Sequence, residues 1–100
     1  MTIAPGIEIP ADQIRQLCER YQVRELVLFG SAARGEMSAD SDIDMLVEFH
    51  PHARIGWELF ELQEELEKLA GRKVDLGTKR SLKPWVRENA LRDARILYAA

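Results

Sequence analysis

Apolar residues recur along this chain in two rhythms, one helical and one extended. Between residues 12 and 21 they follow the i, i+3, i+4, i+7 spacing of a single helix face, at Ile14, Leu17, Cys18 and Tyr21. Between residues 55 and 70, steps of four and three form a second stripe, made of Ile55, Leu59, Leu62, Leu66 and Leu69. These spacings predict two amphipathic helices, and Gly71 stands where a glycine commonly ends such a helix.

Three short apolar runs, each stopped by a turn-forming residue, predict β-strands. They are residues 26–29 before Gly30, residues 43–49 before Pro51 and residues 74–76 before Gly77. A last helix is expected to begin near Pro84 and to bury Val86, Ala90, Leu91, Ala94 and Leu97. This order of elements predicts an α/β or α+β fold, in which helices flank a small mixed β-sheet.

Length and composition fit one globular domain over residues 1–100, with residues 1–9 as a loose arm because Pro5 and Gly6 discourage regular structure. Apolar residues make up 46% and charged residues 31% of the chain, an ordinary balance for a soluble protein. No apolar run reaches the roughly 20 residues that a membrane span needs. The single Cys18 forms no internal disulfide and is interpreted as a core residue. A cytoplasmic protein without a membrane partner is therefore expected.

The net charge of −3 argues against a protein whose main task is to grip nucleic acid, because such domains are usually strongly basic. It leaves nucleotide chemistry open, since a phosphate site needs only a few local donors and bound metal ions supply positive charge. His50 and His52 suggest a metal site, but no cysteine or further histidine lies near them in the sequence. A polar loop after the second strand is favoured for this pair.

Gly30 and Ser31 directly follow the first predicted strand. A glycine at this point allows a sharp turn and the close approach of another group to the backbone. If residues 31–34 form the first turn of a short helix, their free N–H groups attract phosphate, and the Ser31 hydroxyl and Arg34 guanidinium add donors. Taken alone, the Gly-Ser pair favours a simpler interpretation, a strand-to-helix turn with Ser31 as the N-cap.

Asp42 and Asp44 stand two residues apart at the start of the second predicted strand, so both carboxylates are expected on one face. Mg²⁺ relieves the repulsion between two such carboxylates, because it binds carboxylate, water and phosphate oxygens. Asp75 interrupts the third apolar run and joins the pair if the third strand lies beside the second. Separately, these acids are explained by a solvated turn and a water-facing strand edge; together they indicate a site for two metal ions.

The order and spacing of these motifs resemble the DNA polymerase β-type nucleotidyltransferase superfamily, in which Gly-Ser is followed after ten residues by Asp-x-Asp. Within it, the chain is most similar to the minimal nucleotidyltransferase (MNT) family over residues 12–98. Three segments carry the resemblance: Phe29-Gly-Ser-Ala-Ala-Arg-Gly, Ser41-Asp-Ile-Asp-Met-Leu-Val and Gly71-Arg-Lys-Val-Asp-Leu. The resemblance implies a polymerase β-like nucleotidyltransferase fold and an activity of the EC 2.7.7 type.

The resemblance also implies roles for the motif residues. Asp42 and Asp44 would hold two Mg²⁺ ions on the triphosphate of ATP, and Asp75 would bind the catalytic metal and help to deprotonate the attacking hydroxyl. The β- and γ-phosphates would lie on Gly30 and Ser31. For Arg34 two interpretations stay open, a phosphate contact and a structural ion pair.

Proteins of this family and size resemble antitoxins whose partner is a HEPN-domain ribonuclease toxin, and some transfer AMP from ATP to a tyrosine of that toxin. The chain is too short for an acceptor-binding lobe of its own, which favours a hetero-oligomer with the partner. Trp57 and Phe60 fall outside the apolar stripe of their helix, so they are candidate interface residues unless a neighbouring loop or helix covers them. Trp85 and Tyr98 are further candidates.

Three functions therefore compete. The leading one is Mg²⁺-dependent adenylylation of a partner toxin. The second is a non-catalytic antitoxin that neutralises a HEPN ribonuclease by occlusion, which the three retained acids disfavour. The third, transfer to a small molecule or an RNA end, is weakened by the net charge of −3 and by the missing accessory domain.

Overall fold

The chain folds around a mixed sheet, and the computed structural model describes residues 1–4, 6–38, 40–81, 83–84, 88 and 92–100. In chain order its elements are β1 (Thr2–Ala4), β2 (Ile7–Glu8), α1 (Ala11–Arg20), β3 (Val23–Phe29), α2 (Gly30–Arg34), β4 (Ile43–Phe49), α3 (Glu58–Ala70), β5 (Val74–Thr78), a 3₁₀ turn (Lys79–Ser81) and β6 (Arg95–Ala99). The α/β architecture predicted from the sequence is confirmed.

The main sheet has the strand order β5-β4-β3-β6. One of its two inner strands, β3, runs antiparallel to both neighbours, whereas β4 and β5 are parallel. Parallel pairing needs a crossover connection, and α3 provides it between β4 and β5. The pairing of the second and third predicted strands, on which the three-acid hypothesis depends, is therefore present.

The side of the sheet that faces the helices is filled with apolar side chains. On β4 the alternate residues Ile43, Met45 and Val47 are buried, and they share one core with Leu62 and Leu66 of α3. Successive side chains of a strand point to opposite faces, so the residues between them lie on the other face. The apolar side holds the helices to the sheet, because burial of apolar surface is the main force that stabilises a fold.

Most of the predicted helix stripes lie against this core, including Leu59, Leu62, Leu66 and Leu69. The second predicted helix, α3, begins at Glu58 and not at residue 55, so Ile55 precedes it. In α1, Ile14, Leu17 and Cys18 are buried. Burial raises the pKa of the Cys18 thiol to about 12, so the thiol stays protonated near neutral pH and is a poor nucleophile. The interpretation of Cys18 as a core residue is confirmed.

Outside its stripe, α3 presents two aromatic rings to solvent at its beginning. Trp57 and Phe60 are 78% and 57% exposed, and their ring centroids lie 5.7 Å apart. In the part of the chain that the structure describes, no loop or helix covers these two rings to a large extent. Every helix among the described residues is too short or too polar to cross a bilayer.

The expectation of a loose arm at residues 1–9 is wrong. The strands β1 and β2 form a hairpin in which Gly6 adopts a turn conformation, and its apolar side chains are buried in the main core at Ile3, Ala4, Ile7 and Ile9. The Arg95 guanidinium of β6 donates to the carbonyl oxygens of Ile3 and Thr2 at 3.1 and 3.4 Å. The burial of these apolar side chains thus stabilises regular structure here, and Gly6 lies in the turn between the two strands.

The C-terminus also differs from the prediction. Leu97, expected on the buried side of a helix, lies in β6 together with Tyr98, and both pack partly buried against the core. Short apolar runs are ambiguous between helix and strand, and here pairing with β3 decides in favour of a strand. Of the predicted helix and its aromatic candidate, residues 85–87 and 89–91 lie outside the described residues.

Candidate active site

The turn from β3 into α2 favours glycine at position 30 for two reasons. Gly30 has φ +69°, and a Cβ atom placed on it would lie 2.6 Å from Oδ2 of Asp44. The carboxylate of Asp44 therefore rests against the backbone of the turn, as the sequence predicted for a glycine at which another group approaches closely. α2 begins at Gly30 itself, and its N-cap position is Phe29, without a side-chain cap. Ser31 thus lies inside the first turn and is not the N-cap.

Two of the predicted acids are direct neighbours across the sheet. In the parallel ladder Asp44 pairs with Asp75, and on the other side Asp44 pairs with Phe29 of β3. Residues paired across adjacent strands project to the same side. We call this side, which faces away from the core, the acid face; it carries Val27, Phe29, Asp44, Leu46, Asp75 and Gly77.

Electrostatics connect all three acids. Burial raises the pKa of Asp44 above its ordinary value, and the negative charges of Asp75 and Asp42 raise it further, while the positive charge of Arg34 opposes the shift. Asp44 is half-buried, whereas Asp42 and Asp75 are exposed. Like charges held together make the ionised cluster unfavourable by itself and favourable for a cation. The acid face therefore has the charge that attracts a divalent ion.

The donor chemistry of this cluster suits Mg²⁺, a hard cation that prefers carboxylate oxygens and completes its shell with water and phosphate oxygens. Among the described residues, however, no three His, Cys, Asp or Glu side chains are gathered closely enough to form a metal-binding group. The structure places Asp44 beside Asp75 but does not converge all three carboxylates. The ligand set Asp42, Asp44 and Asp75 stays a prediction.

Asp42 lies in the loop between α2 and β4, and an arginine from a distant turn holds that loop. Arg72 donates to the carbonyl oxygens of Ser38 and Ser41, at 2.9 and 2.5 Å. Sequence reasoning included Arg72 in the segment around the third acid but gave it no role. Its position three residues before Asp75 was the available signal.

The two remaining site residues flank the acids on α2. Arg34 forms an ion pair with Glu36 at 3.1 Å and is about half exposed, so the structural interpretation of this residue is present in the fold. Its charge also acts on Asp44, which keeps a phosphate contact open as a prediction. Ser31 is half-buried, and within the described chain its hydroxyl makes no hydrogen bond that would prevent it from binding a ligand.

A separate cavity of about 580 Å³ lies at the other end of β4 from Asp44. Val47, Phe49 and Ile55 line its apolar part, and charged side chains border it. The bordering cations are paired with carboxylates: Arg24 with Glu48 and Lys79 with Glu25. His50, which also borders the cavity, and His52 are exposed, as expected for a polar loop. The cavity is thus distinct from the acid cluster.

Comparison with known families gives a match over most of the chain. A family model described as a nucleotidyltransferase domain covers residues 11–98. MntA, a protein adenylyltransferase of Thermococcus cleftensis, is 44% identical to the chain over 79 residues, which are 79% of each protein. The residues matched by the family model include the glycine turn and the three acids.

Solved structures share the fold. One, described provisionally as a minimal nucleotidyltransferase, is 38% identical with a TM-score of 0.73, and the alignment covers 85% of this chain and 86% of that one. Another is a complex of an MNT antitoxin with a tri-AMPylated HEPN toxin from Shewanella oneidensis; it is 21% identical with a TM-score of 0.64, covering 90% of this chain and 70% of that one. At that identity the second likeness is one of fold.

Proposed function

Because the chain belongs to the nucleotidyltransferase domain family, we propose that it transfers AMP from ATP, with Mg²⁺, to a hydroxyl group of a HEPN toxin and so acts as the antitoxin. Nucleotidyl transfer is the activity of the family; the nucleotide, the metal and the acceptor are the proposed part. MntA is named a protein adenylyltransferase, and the MNT antitoxin of similar fold is bound to an AMPylated toxin.

The observation that carries the proposal is the position of Asp44. Its carboxylate touches the Gly30 turn and neighbours Asp75 across the parallel ladder. A polyphosphate on Gly30 and Ser31 would therefore lie beside the acids, and Mg²⁺ held by Asp42, Asp44 and Asp75 would neutralise charge on its oxygens. Catalysis in such a site consists mainly of positioning and charge stabilisation.

The transfer balances without any further reagent. The acceptor oxygen forms a bond to the α-phosphorus of ATP, and the bond from that phosphorus to the bridging oxygen breaks, so that pyrophosphate leaves. The proton of the acceptor hydroxyl passes to a carboxylate, and Asp75 is the proposed acceptor because it is exposed beside Asp44. Gly30 and Ser31 orient the leaving pyrophosphate.

The direct test uses ATP labelled at the α-phosphate, Mg²⁺ and a HEPN toxin as the acceptor. We expect label on the HEPN protein with the wild type, and loss of label with Asp42→Asn or Asp44→Asn. Asp40→Asn, a change of a nearby exposed acid outside the proposed set, is the matched control and should transfer normally. An unlabelled toxin, or labelling that survives both substitutions, would overturn the proposal.

A second candidate, neutralisation by occlusion, is favoured by one observation, the exposed aromatic pair at the start of α3. Trp57 and Phe60 stand at the start of α3, the helix whose Leu62 and Leu66 pack on the core side of the sheet. Large exposed aromatics are typical anchors of protein interfaces. A toxin bound there would be held by a surface that takes no part in the chemistry.

Substitution of the aromatic pair separates binding from transfer. We expect the double variant Trp57→Ala, Phe60→Ala to weaken toxin binding about 10-fold or more, with the transfer rate at saturating toxin unchanged. Lys68→Ala, an exposed position near the end of the same helix, should change neither. Occlusion would be supported if Asp44→Asn still neutralises the toxin and if this neutralisation is lost when Trp57 and Phe60 are also replaced.

A further inference from the structure

The loop that carries Asp42 has little apolar anchorage among its described residues, 35–38 and 40–42. Ser38, Asp40 and Asp42 are exposed, and Met37 is the member that packs partly buried against the core. A tight turn organises the loop from within: the Ser41 amide donates to the Ser38 carbonyl at 3.2 Å, and the Ser38 amide donates to the Ser41 hydroxyl at 3.0 Å. Exposed polar turns of this kind are commonly mobile.

One arginine side chain binds the carbonyl groups at both ends of this turn. The Arg72 guanidinium donates to the oxygens of Ser38 and Ser41, at 2.9 and 2.5 Å. A planar guanidinium presents several donors in a fixed geometry, so it can hold two acceptors at once, whereas an ammonium is a single point donor. The bond to Ser41 is partly buried, which shields it from solvent.

The same short segment also fixes the residue after Asp42. The Ile43 amide donates to the Lys73 carbonyl at 2.9 Å, so the peptide groups on both sides of Asp42 are tied to residues 72 and 73. Two residues later comes Asp75, and the Val74 amide between them donates to the Glu67 carboxylate of α3 at 3.0 Å. The turn from α3 into β5 thus connects the backbones of Asp42 and Asp75.

We propose that Arg72 is a positioning residue: it holds the Asp42 loop in a fixed register with β4 and β5, so that Asp42 and Asp75 face one divalent ion together. The assignment rests on the proposed function. Groups that orient metal ligands typically change metal affinity or activity about 10- to 100-fold when they are removed. Removal of Arg72 leaves both carboxylates in the chain, but the position of Asp42 relative to Asp75 is no longer fixed.

The test measures loop order in the metal-free protein as well as activity. In Arg72→Gln we expect the amide order parameters of Ser41 and Asp42 to fall from about 0.85 to below about 0.6, with the strands unchanged. The half-saturating Mn²⁺ concentration should rise and kcat should fall, each about 10-fold or more, while KM for ATP changes less than about 2-fold because Gly30 and Ser31 remain. Arg72→Lys should not restore loop order.

Arg15→Gln is the control, since Arg15 forms an exposed ion pair with Asp12 on α1; it should leave order, Mn²⁺ binding and kcat unchanged. Arg72→Lys keeps most of the side-chain stem and serves if Arg72→Gln does not fold. Unchanged loop order in either folded variant would overturn the proposal, as would full activity with a disordered loop. An inactive wild type would refute the proposed function alone, because loop order and Mn²⁺ binding are measured without ATP.

Discussion

The two faces of β4 differ in chemistry: one is packed into the apolar core, and the other carries an acid of the candidate site. On one face Ile43, Met45 and Val47 are buried in the core. On the other, Asp44 stands at the beginning of the strand, where burial and then the like charges of Asp75 and Asp42 raise its pKa. Leu46 follows on this face and is also buried. Strand alternation alone separates the two sets, since neighbouring residues project to opposite sides.

The comparison shows how so small a domain is stable although it carries carboxylates that repel one another. The apolar face, together with the helices, supplies the favourable free energy of folding. The acid face opposes folding wherever its carboxylates are ionised together, and a cation relieves this opposition only when it is bound. Substitutions on the two faces should therefore separate stability from activity.

The largest effect is expected from truncation on the core side. Leu66 of α3 is fully buried, so Leu66→Ala should lower the free energy of unfolding by about 2–5 kcal/mol. Urea denaturation measures this loss. Lys68→Ala, exposed on the same helix, should change stability by less than about 0.5 kcal/mol. Similar losses for both variants would show that α3 is not held by its apolar stripe.

On the acid face the opposite pattern is expected. Asp44→Asn removes a negative charge from a position where burial and two acids oppose it, so the melting temperature at pH 7 should not fall. Nucleotidyl transfer should decrease at least about 100-fold, since a group that stabilises charge in the transition state is lost. Calorimetry and the labelling assay give the two values. A variant that unfolds at lower temperature would mean that Asp44 serves the fold.

Two glycines with the same left-handed backbone conformation sharpen the comparison. Gly30 and Gly35 have φ +69° and +71°, but a Cβ atom would meet Asp44 only at Gly30 and nothing within 4 Å at Gly35. Both alanine variants should lose about 1–2 kcal/mol of stability from the left-handed conformation. Only Gly30→Ala should also lose transfer activity, about 100-fold, because it displaces the carboxylate. Equal transfer activity in both variants would show that the Gly30 turn is not part of the active site.

The smallest effect is on the pH dependence of stability. The pKa of Asp44 is raised in the folded protein above its ordinary value of 3.8, so in the window just above pH 3.8 the folded state binds more protons than the unfolded state. Stability contributed by this group is therefore lost as pH rises through that window. Denaturation of wild type and Asp44→Asn across pH 3.5–6 isolates the difference, which should shrink toward acidic pH. A pH-independent difference would contradict the assigned cause.

Much of the site was predictable because it depends on local rules. The alternation of side chains along β4 predicts that Asp44 faces away from the core, and the glycine at position 30 predicts a turn. The pairing of β4 with β5 brings Asp75 beside Asp44. The hold of Arg72 on the Asp42 loop was not predictable in this way, since it acts on backbone carbonyls 31 and 34 residues away. Such contacts leave no periodic signal in a sequence.

The terminal segments were predicted less well for a different reason. The hairpin strands have three and two residues, too few to show a period, and their isoleucines are buried by tertiary contacts with the core. Leu97 belonged to a short apolar run that suits either a helix or a strand. In both cases the deciding interaction lies far away in the chain.

A crystal structure with Mn²⁺ and a non-hydrolysable ATP analogue tests the central claim most directly, because the anomalous signal locates the ions. We predict Mn²⁺ on the acid face, in contact with carboxylate oxygens of Asp44 and Asp75, and the phosphates on Gly30 and Ser31. A nucleotide in the cavity beside Phe49, or ions that contact neither Asp44 nor Asp75, would contradict the account.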